Sequence, residues 1–265
     1  MKSRYLIVLM AAFSIHHTSY ASVVLEKKDM EALLIKPAVP AVPAVPVAPA
    51  APTPHLEVPV AVNPSQERIK EILDFWFGAL SNQAYYPEAK AHLWLDNSSD
   101  FDQQNETRFE DDVHKALSGQ LNDWRQTPKG RLVLVLLLDQ FLRRMYPEKP
   151  QAYVAEAMAR GLVLEGIQKG DDRKLFPIER AFFYMPLQRS EDLNLQNKSV
   201  RLYTRLLQDT PDSLKPHIKT FLDDALLSQE IIARFNRFPS RNKVLGREST
   251  VEETMFLNQI NILNK

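Results

Sequence analysis

Apolar residues recur along the chain at intervals of three and four, which is the spacing of one face of an α-helix. After Asn63 the residues that share such a face are Ile69, Ile72, Leu73, Trp76, Phe77 and Leu80. The start is marked as well, because Asn63 is a favourable N-cap, Pro64 fits the first helical position and Gln66 stands at N3. The pattern predicts a helix that begins at Pro64.

Two more helices are indicated in the next part of the chain. The apolar positions of the second are Phe101, Phe109, Val113 and Leu117. Thr127 and Pro128 open a third, which runs to about Tyr146. Its middle, residues 132–138, is apolar on every side, so we expect this helix at the centre of the fold.

The rest of the chain follows the same pattern. Further helices are predicted near residues 151–168, 177–184, 191–208, 214–234 and 251–263. Thr250 and Glu253 form a capping box for the last one. Since no segment alternates with period two, the predicted fold class is all-α: antiparallel helix pairs in one domain over residues 64–265, without a regular repeat.

The first 21 residues have the features of a secretory signal peptide. Lys2 and Arg4 precede an apolar run over residues 5–15, and Ser19 and Ala21 are the small residues of a cleavage site. We expect cleavage after Ala21 and a periplasmic or secreted protein without a membrane span. The alternative is an uncleaved anchor, although the run is shorter than the ~20 residues of a spanning helix.

Residues 22–63 are predicted to form a proline-rich tether. Within it a proline stands at every third position: Pro37, Pro40, Pro43, Pro46, Pro49 and Pro52. Such a segment favours the extended polyproline II conformation, because proline fixes φ and lacks an N–H donor. It could serve as a stiff spacer, as a docking strip for a partner, or as a linker without a partner.

Composition excludes several classes of function. Lys and Arg number 33 against 33 Asp and Glu, so the basic excess typical of nucleic-acid binding is missing. The chain has no cysteine, only 7 glycines and no G-x-S-x-G motif, so thiolate sites, a phosphate loop and a serine nucleophile elbow are not expected. His92, His114 and His217 have no ligand-like spacing. We therefore predict no metal and no cofactor.

Asp139 is a carboxylate that follows seven apolar residues on the predicted central helix. Such a group is costly to bury unless it is paired, and Arg143 lies four residues away, within side-chain reach. The pair could hold helices together, or it could belong to a site.

Two further groups of charged residues stand near predicted helix ends. Arg189 precedes Ser190, Glu191 and Asp192, of which Ser190 is the expected N-cap of the next helix. Further along, the candidate ligand-binding residues are Arg234, Arg237, Arg241, Asn242 and Arg247. Guanidinium groups bind carboxylate and phosphate in a bidentate manner, which favours an anion pocket. The same arginines could instead neutralise Asp139, Glu179, Glu191 and Asp192.

Four motifs in order resemble one bacterial family. They are ILDFWFG (72–78), LLLDQF-x-R (136–143), YMPL-x-x-SEDL-x-x-Q (184–196) and RF-x-RFP-x-RN-x-x-LGR-x-ST-x-EE (234–253). Together they are similar to domain-of-unknown-function family nine-two-four, over about residues 66–260. The resemblance implies an all-helical, tetratricopeptide-like fold and no established activity. It also implies histidine at the positions of Arg189, Ser228 and Ser240, and glycine at Asn236.

These observations leave two hypotheses of function. The first is an exported helical module that binds a small anionic ligand, or a protein partner, in a cleft lined by Arg189, Arg234, Arg237 and Arg241. The alternative is a hydrolase-like enzyme that uses the carboxylates of Asp139 and Glu191 with arginine stabilisation of charge.

Overall fold

The computed structural model describes residues 63–95 and 99–263, and every regular element in these ranges is a helix. The α-helices are α1 (Pro64–Phe77), α2 (Glu88–Leu95), α3 (Ser99–Leu117), α4 (Pro128–Val135), α5 (Leu142–Met145), α6 (Glu156–Lys169), α7 (Pro177–Gln188), α8 (Leu193–Asp209), α9 (Lys215–Phe235) and α10 (Val251–Leu263). The predicted all-α class is confirmed for the described residues. The predicted signal peptide, and the tether up to residue 62, lie outside them.

Short 3₁₀ segments connect several of these helices. They are Asn122–Gln126, Pro150–Tyr153, Asp172–Lys174 and Pro239–Arg241. None of the described helices is both long and apolar enough to cross a membrane.

Local capping signals place the starts of α1 and α4 as predicted. The Asn63 side chain accepts a hydrogen bond from the Ser65 N–H at 3.0 Å. The Thr127 hydroxyl accepts one from the Gly130 N–H at 3.1 Å. Each cap satisfies a donor that has no partner within its own helix, so these ends depend on a few neighbouring residues.

The central helix consists of α4, a π-helical turn over Leu136–Phe141, and α5. Residues 132–138 are all buried, as the sequence predicts. The π turn is not predicted; in it the Leu142 N–H bonds to the Leu137 carbonyl, five residues back. Turns of this kind are rare and are frequent at functional sites, and this one carries Asp139.

Aromatic packing joins α1 to the central helix and to α7. The Trp76 ring lies 5.0 Å from Phe141 and 5.7 Å, edge-on, from Phe182. Helix α2, which the sequence analysis misses, completes this region. Its Trp94 donates an indole hydrogen bond to the Trp76 carbonyl at 3.1 Å.

Helices α7 and α8 form an antiparallel pair. The Tyr203 hydroxyl donates to the Ala181 carbonyl, and the Gln196 amide donates to the Gln188 carbonyl. Helix α7 runs to Gln188, so the predicted end at residue 184 is wrong. Pro186 removes one backbone donor near the C-terminal end, and burial of the surrounding turn keeps it helical.

Ion pairs of a fully buried arginine link the first turn of α4 to α6. Arg131 has no exposed surface and forms ion pairs with Asp171 at 3.1 Å and Glu165 at 3.2 Å. Its guanidinium also donates to the Arg125 carbonyl at 2.7 Å. Because an unpaired buried charge is very costly, these partners are what permit arginine at this position.

A capping box stabilises the start of helix α10. The Thr250 hydroxyl accepts from the Glu253 N–H, and the Glu253 carboxylate accepts from the Thr250 N–H at 2.8 Å, as predicted. The same carboxylate binds Arg237 through two bonds of 2.6 and 2.8 Å. This Arg237 pair lowers the pKa of Glu253 to about 2.

A first prediction compares two glycines of α6. A Cβ at Gly166 would lie 2.6 Å from the Arg131 Cδ and 2.7 Å from the Phe183 Cζ, whereas a Cβ at Gly161 meets nothing within 4 Å. We expect Gly166→Ala to lower the free energy of unfolding by about 1–3 kcal/mol through overpacking. Gly161→Ala should raise it by about 0.5–1 kcal/mol. Urea denaturation measures both, and equal effects would contradict the packing around Arg131.

A second prediction concerns acid stability. The lowered pKa of Glu253 stabilises the fold above pH 4.5, its ordinary value, and this stabilisation is lost as the pH falls towards 2. Glu253→Gln should cost about 2 kcal/mol at pH 7. The difference from wild type should shrink below pH 4.5.

The control for this experiment is Glu252→Gln. Glu252 pairs with Arg234 but is 61% exposed, so its loss should change the free energy of unfolding by about 0.5 kcal/mol or less. Urea denaturation between pH 2.5 and pH 7 compares the two variants. A cost of Glu253→Gln that does not depend on pH would contradict the lowered pKa of Glu253.

Candidate functional site

Asp139 lies in the π turn of the central helix and is engaged through both of its oxygens. One accepts from the Arg143 Nε at 3.3 Å, and the other accepts from the Arg189 Nη1 and from the Gln140 amide. The Asp139 side chain is only 1% exposed. The ion pair with Arg189 joins the central helix to the C-terminal end of α7.

Glu156, on the first turn of α6, gathers a second group of arginines. Its carboxylate contacts an Arg143 Nη2, an Arg241 Nη1 at 3.1 Å and an Arg160 Nη1 at 3.7 Å. Arg143 therefore bridges the two carboxylates, Asp139 and Glu156. We call this set the guanidinium cluster: Asp139, Arg143, Glu156, Arg160, Arg189 and Arg241.

Charge is unbalanced within the guanidinium cluster, because four guanidinium groups share two carboxylates. The four arginine side chains are between 11% and 26% exposed, so they are mostly buried but keep some contact with solvent. Burial lowers the pKa of Arg189 and of Arg241, and the positive charge of Arg143 lowers both further. Arginine stays protonated nonetheless. Glu191 and Asp224 also act electrostatically on Arg241 and Arg189, so they offset part of this positive charge. The cluster is thus a mostly buried region in which guanidinium groups outnumber the carboxylates that pair with them.

Aromatic rings fix the planes of two of these guanidinium groups. Arg143 lies 4.8 Å and Arg241 5.3 Å from the centre of the Tyr153 ring, and Arg241 is 4.3 Å from Phe238. Arg241 also donates to the Arg189 carbonyl at 2.9 Å. Stacking and hydrogen bonding hold the guanidinium forks in place before any ligand arrives.

A neighbouring network connects Glu191 to the loop that follows α9. Arg247 binds the Glu191 carboxylate in a bidentate manner at 2.7 and 3.0 Å, and the Phe238 N–H donates to it at 2.8 Å. Although burial raises it, the pKa of Glu191 is held below its ordinary value by these bonds. Arg247 also donates to the buried Asn242 at 3.0 Å.

The remaining candidates have separate roles. Asp192 is the N-cap of α8 and accepts from the Asn194 and Leu195 N–H groups, so the predicted cap at Ser190 is wrong. The helix begins two residues later than that cap requires. Arg234 pairs with Glu252, and Arg237 with Glu253.

The predicted cleft lined by Arg189, Arg234, Arg237 and Arg241 is therefore not formed as a unit. Arg234 and Arg237 bind carboxylates of α10, whereas Arg189 and Arg241 bind those of the guanidinium cluster.

The expected counter-charges are correct only in part. Asp139 and Glu191 do neutralise arginines. Glu179 instead binds Lys129 and the Phe176 N–H. Glu156 and Arg160 were missed. Their four-residue spacing on one helix is the signal that could have drawn attention to them.

A cleft of about 410 Å³ lies elsewhere, between α1 and the first turns of α4 and α7. Its lining is mainly apolar, including Ile69, Leu73 and Phe77, and the Lys129–Glu179 ion pair forms part of its wall. None of the arginines discussed above lines it.

The positions where the family resemblance implies other residues have distinct settings. Arg189 binds Asp139, Ser240 is exposed and Ser228 is half-buried. Asn236 ends α9 with φ = 56°, a left-handed conformation that favours glycine and that asparagine also tolerates. Among the described residues, no three His, Asp or Glu side chains are grouped so that they could hold a metal ion.

Comparison with known proteins identifies the family. The sequence profile of a family described as "Bacterial protein of unknown function (DUF924)" matches residues 72–261. A solved structure of a protein of unknown function from Agrobacterium tumefaciens is similar, with 30% sequence identity and a TM-score of 0.62 over 73% of this chain and 98% of that one. No curated protein matches. The chain belongs to the DUF924 family of bacterial proteins of unknown function.

Proposed function

We propose that the domain binds a small anionic ligand at the guanidinium cluster. The observation that carries the proposal is the number of guanidinium groups: four of them pair with two carboxylates in a mostly buried setting, and Glu191 and Asp224 nearby offset only part of their charge. An incoming carboxylate or phosphate would offset the remainder. Its attraction would be stronger there than at an exposed surface, because partial burial lowers the effective dielectric constant.

The geometry favours binding over acid–base catalysis. A general acid or base needs an oxygen that the substrate can reach. The oxygens of Asp139 are all engaged within a nearly inaccessible side chain, and those of Glu191 are held by Arg247 and the Phe238 N–H. The hydrolase alternative therefore has no geometric support at either carboxylate.

The test is thermal stabilisation of the full chain by anions at constant ionic strength. Phosphate, sulfate and small carboxylates are compared, and a ligand at 100 times its Kd should stabilise the fold by about 2.7 kcal/mol. Arg160→Gln should weaken this binding about tenfold, which is about 1.4 kcal/mol. Arg160 suits the test because it is partly exposed and its contact with Glu156 is long, so the variant should still fold.

The matched control is Arg234→Gln, which removes an arginine outside the guanidinium cluster. It should bind anions as the wild type does. Stabilisation by no anion, or the same loss in both variants, would contradict the proposal.

We also propose that the domain acts outside the cytoplasm. The support is the leader pattern of residues 1–21, with its basic start and apolar run. In a bacterial host the full chain should reach the periplasm or medium with Ser22 as its first residue, as mass spectrometry would establish. Leu9→Arg, which interrupts the apolar run, should leave the full-length chain in the cytoplasm. An uncleaved wild-type chain in the membrane fraction would contradict cleavage.

A further inference from the structure

Glu156 is the one carboxylate of the guanidinium cluster that contacts three arginines. Its Oε1 meets Arg143 and Arg241, and its Oε2 lies 3.4 Å from Arg241 and 3.7 Å from Arg160. Three guanidinium groups surround this one carboxylate, as they would surround a bound anion, whereas a simple ion pair has a single partner. The forks converge on one point that an anion already occupies.

The two carboxylates of the cluster differ in how firmly they are held. Asp139 is 1% exposed and is bound by two arginines and Gln140 on the rigid central helix. Glu156 is 19% exposed, and its longest contact, to Arg160, exceeds hydrogen-bond distance. It stands on the first turn of α6 next to Ala155, which supplies no side-chain cap. The Glu156 side chain is therefore the carboxylate of the cluster that lies nearer to solvent, and Asp139 is the one enclosed by the protein.

Resting on the proposed anion site, we propose that Glu156 is its built-in occupant and that the external ligand is a dianionic phosphate group. The phosphate group, free or in a phosphomonoester, takes the place of the Glu156 carboxylate on Arg143, Arg160 and Arg241. Glu156 then regulates the site, because a ligand binds only when it displaces this side chain.

Competition with Glu156 selects for a dianion. A free monocarboxylate offers the same charge and the same two oxygens as Glu156. It must also compete with a group that is tethered at a high effective concentration. A phosphate group carries up to two negative charges and three strong acceptor oxygens, which match three guanidinium forks. Once Glu156 has moved away, Asp139 is the one carboxylate of the cluster that remains among four arginines, and Glu191 and Asp224 offset the positive charge only from outside the cluster. A second ligand charge therefore remains favourable.

The experiment measures the Kd of inorganic phosphate by calorimetry for the full chain and for Glu156→Gln. Glutamine keeps the size of the side chain but removes the competing charge, so phosphate should bind about tenfold more tightly. Glu252→Gln is the matched control, since it removes a carboxylate that pairs with Arg234 outside the cluster. It should leave the Kd unchanged.

Two further ligands, acetate and glycerol phosphate, identify the chemical class of the anion. Acetate should bind the wild type much more weakly than phosphate does. Glycerol phosphate tests whether the natural ligand is free phosphate or a phosphomonoester. If it binds more tightly than inorganic phosphate, the ligand is a phosphomonoester; if it binds more weakly, the ligand is free phosphate. Acetate that binds the wild type as tightly as phosphate would overturn the assignment of a dianion.

The remaining outcomes separate this inference from the proposed function. Wild-type binding of phosphate that Glu156→Gln leaves unchanged or weakens would overturn the role of Glu156, while the anion site would stand. Binding by Glu156→Gln alone would support Glu156 as the occupant of the site but would overturn its displacement by phosphate in the wild type. Absence of binding in both proteins would overturn the inference and the anion site together.

Discussion

The architecture depends on the pairing of charges that the central helix carries into the core. Arg131 and Asp139 are at most 2% exposed on a helix whose middle is otherwise apolar. Leaving one partner of such a pair unmatched costs several kcal/mol, a large part of the total stability of a domain. The segments around this helix are therefore arranged so that each buried charge meets an opposite one.

The two charges organise different parts of the fold. Arg131 pairs with Glu165 of α6 and with Asp171, which follows that helix, and the path of its side chain leaves room only for glycine at position 166. Asp139 forms an ion pair with Arg189 at the end of α7. The candidate site thus follows from a structural requirement: Arg143, which pairs with Asp139, also reaches Glu156, where Arg160 and Arg241 join it. The arginines of the cluster outnumber the two carboxylates that pair with them.

Arginine at position 189 determines what chemistry this site favours. A guanidinium group is protonated at every physiological pH, whereas histidine, which the family resemblance implies there, exchanges protons near neutrality. A site with fixed charge can hold and orient an anion but is poorly suited to proton transfer. This distinction supports binding as the proposed role, even though the domain belongs to a family without an assigned activity.

The sequence by itself determined the features that depend on near neighbours. Helix starts at Pro64, Pro128 and Val251 followed from caps within three residues, and burial of residues 132–138 followed from their apolar run. Tertiary structure alone decided the π turn, the cap at Asp192 and the meeting of Glu156 with Arg241, 85 positions away. The reason is physical: caps and apolar faces are short-range properties, whereas an arginine can pair with any carboxylate that packing brings within about 4 Å.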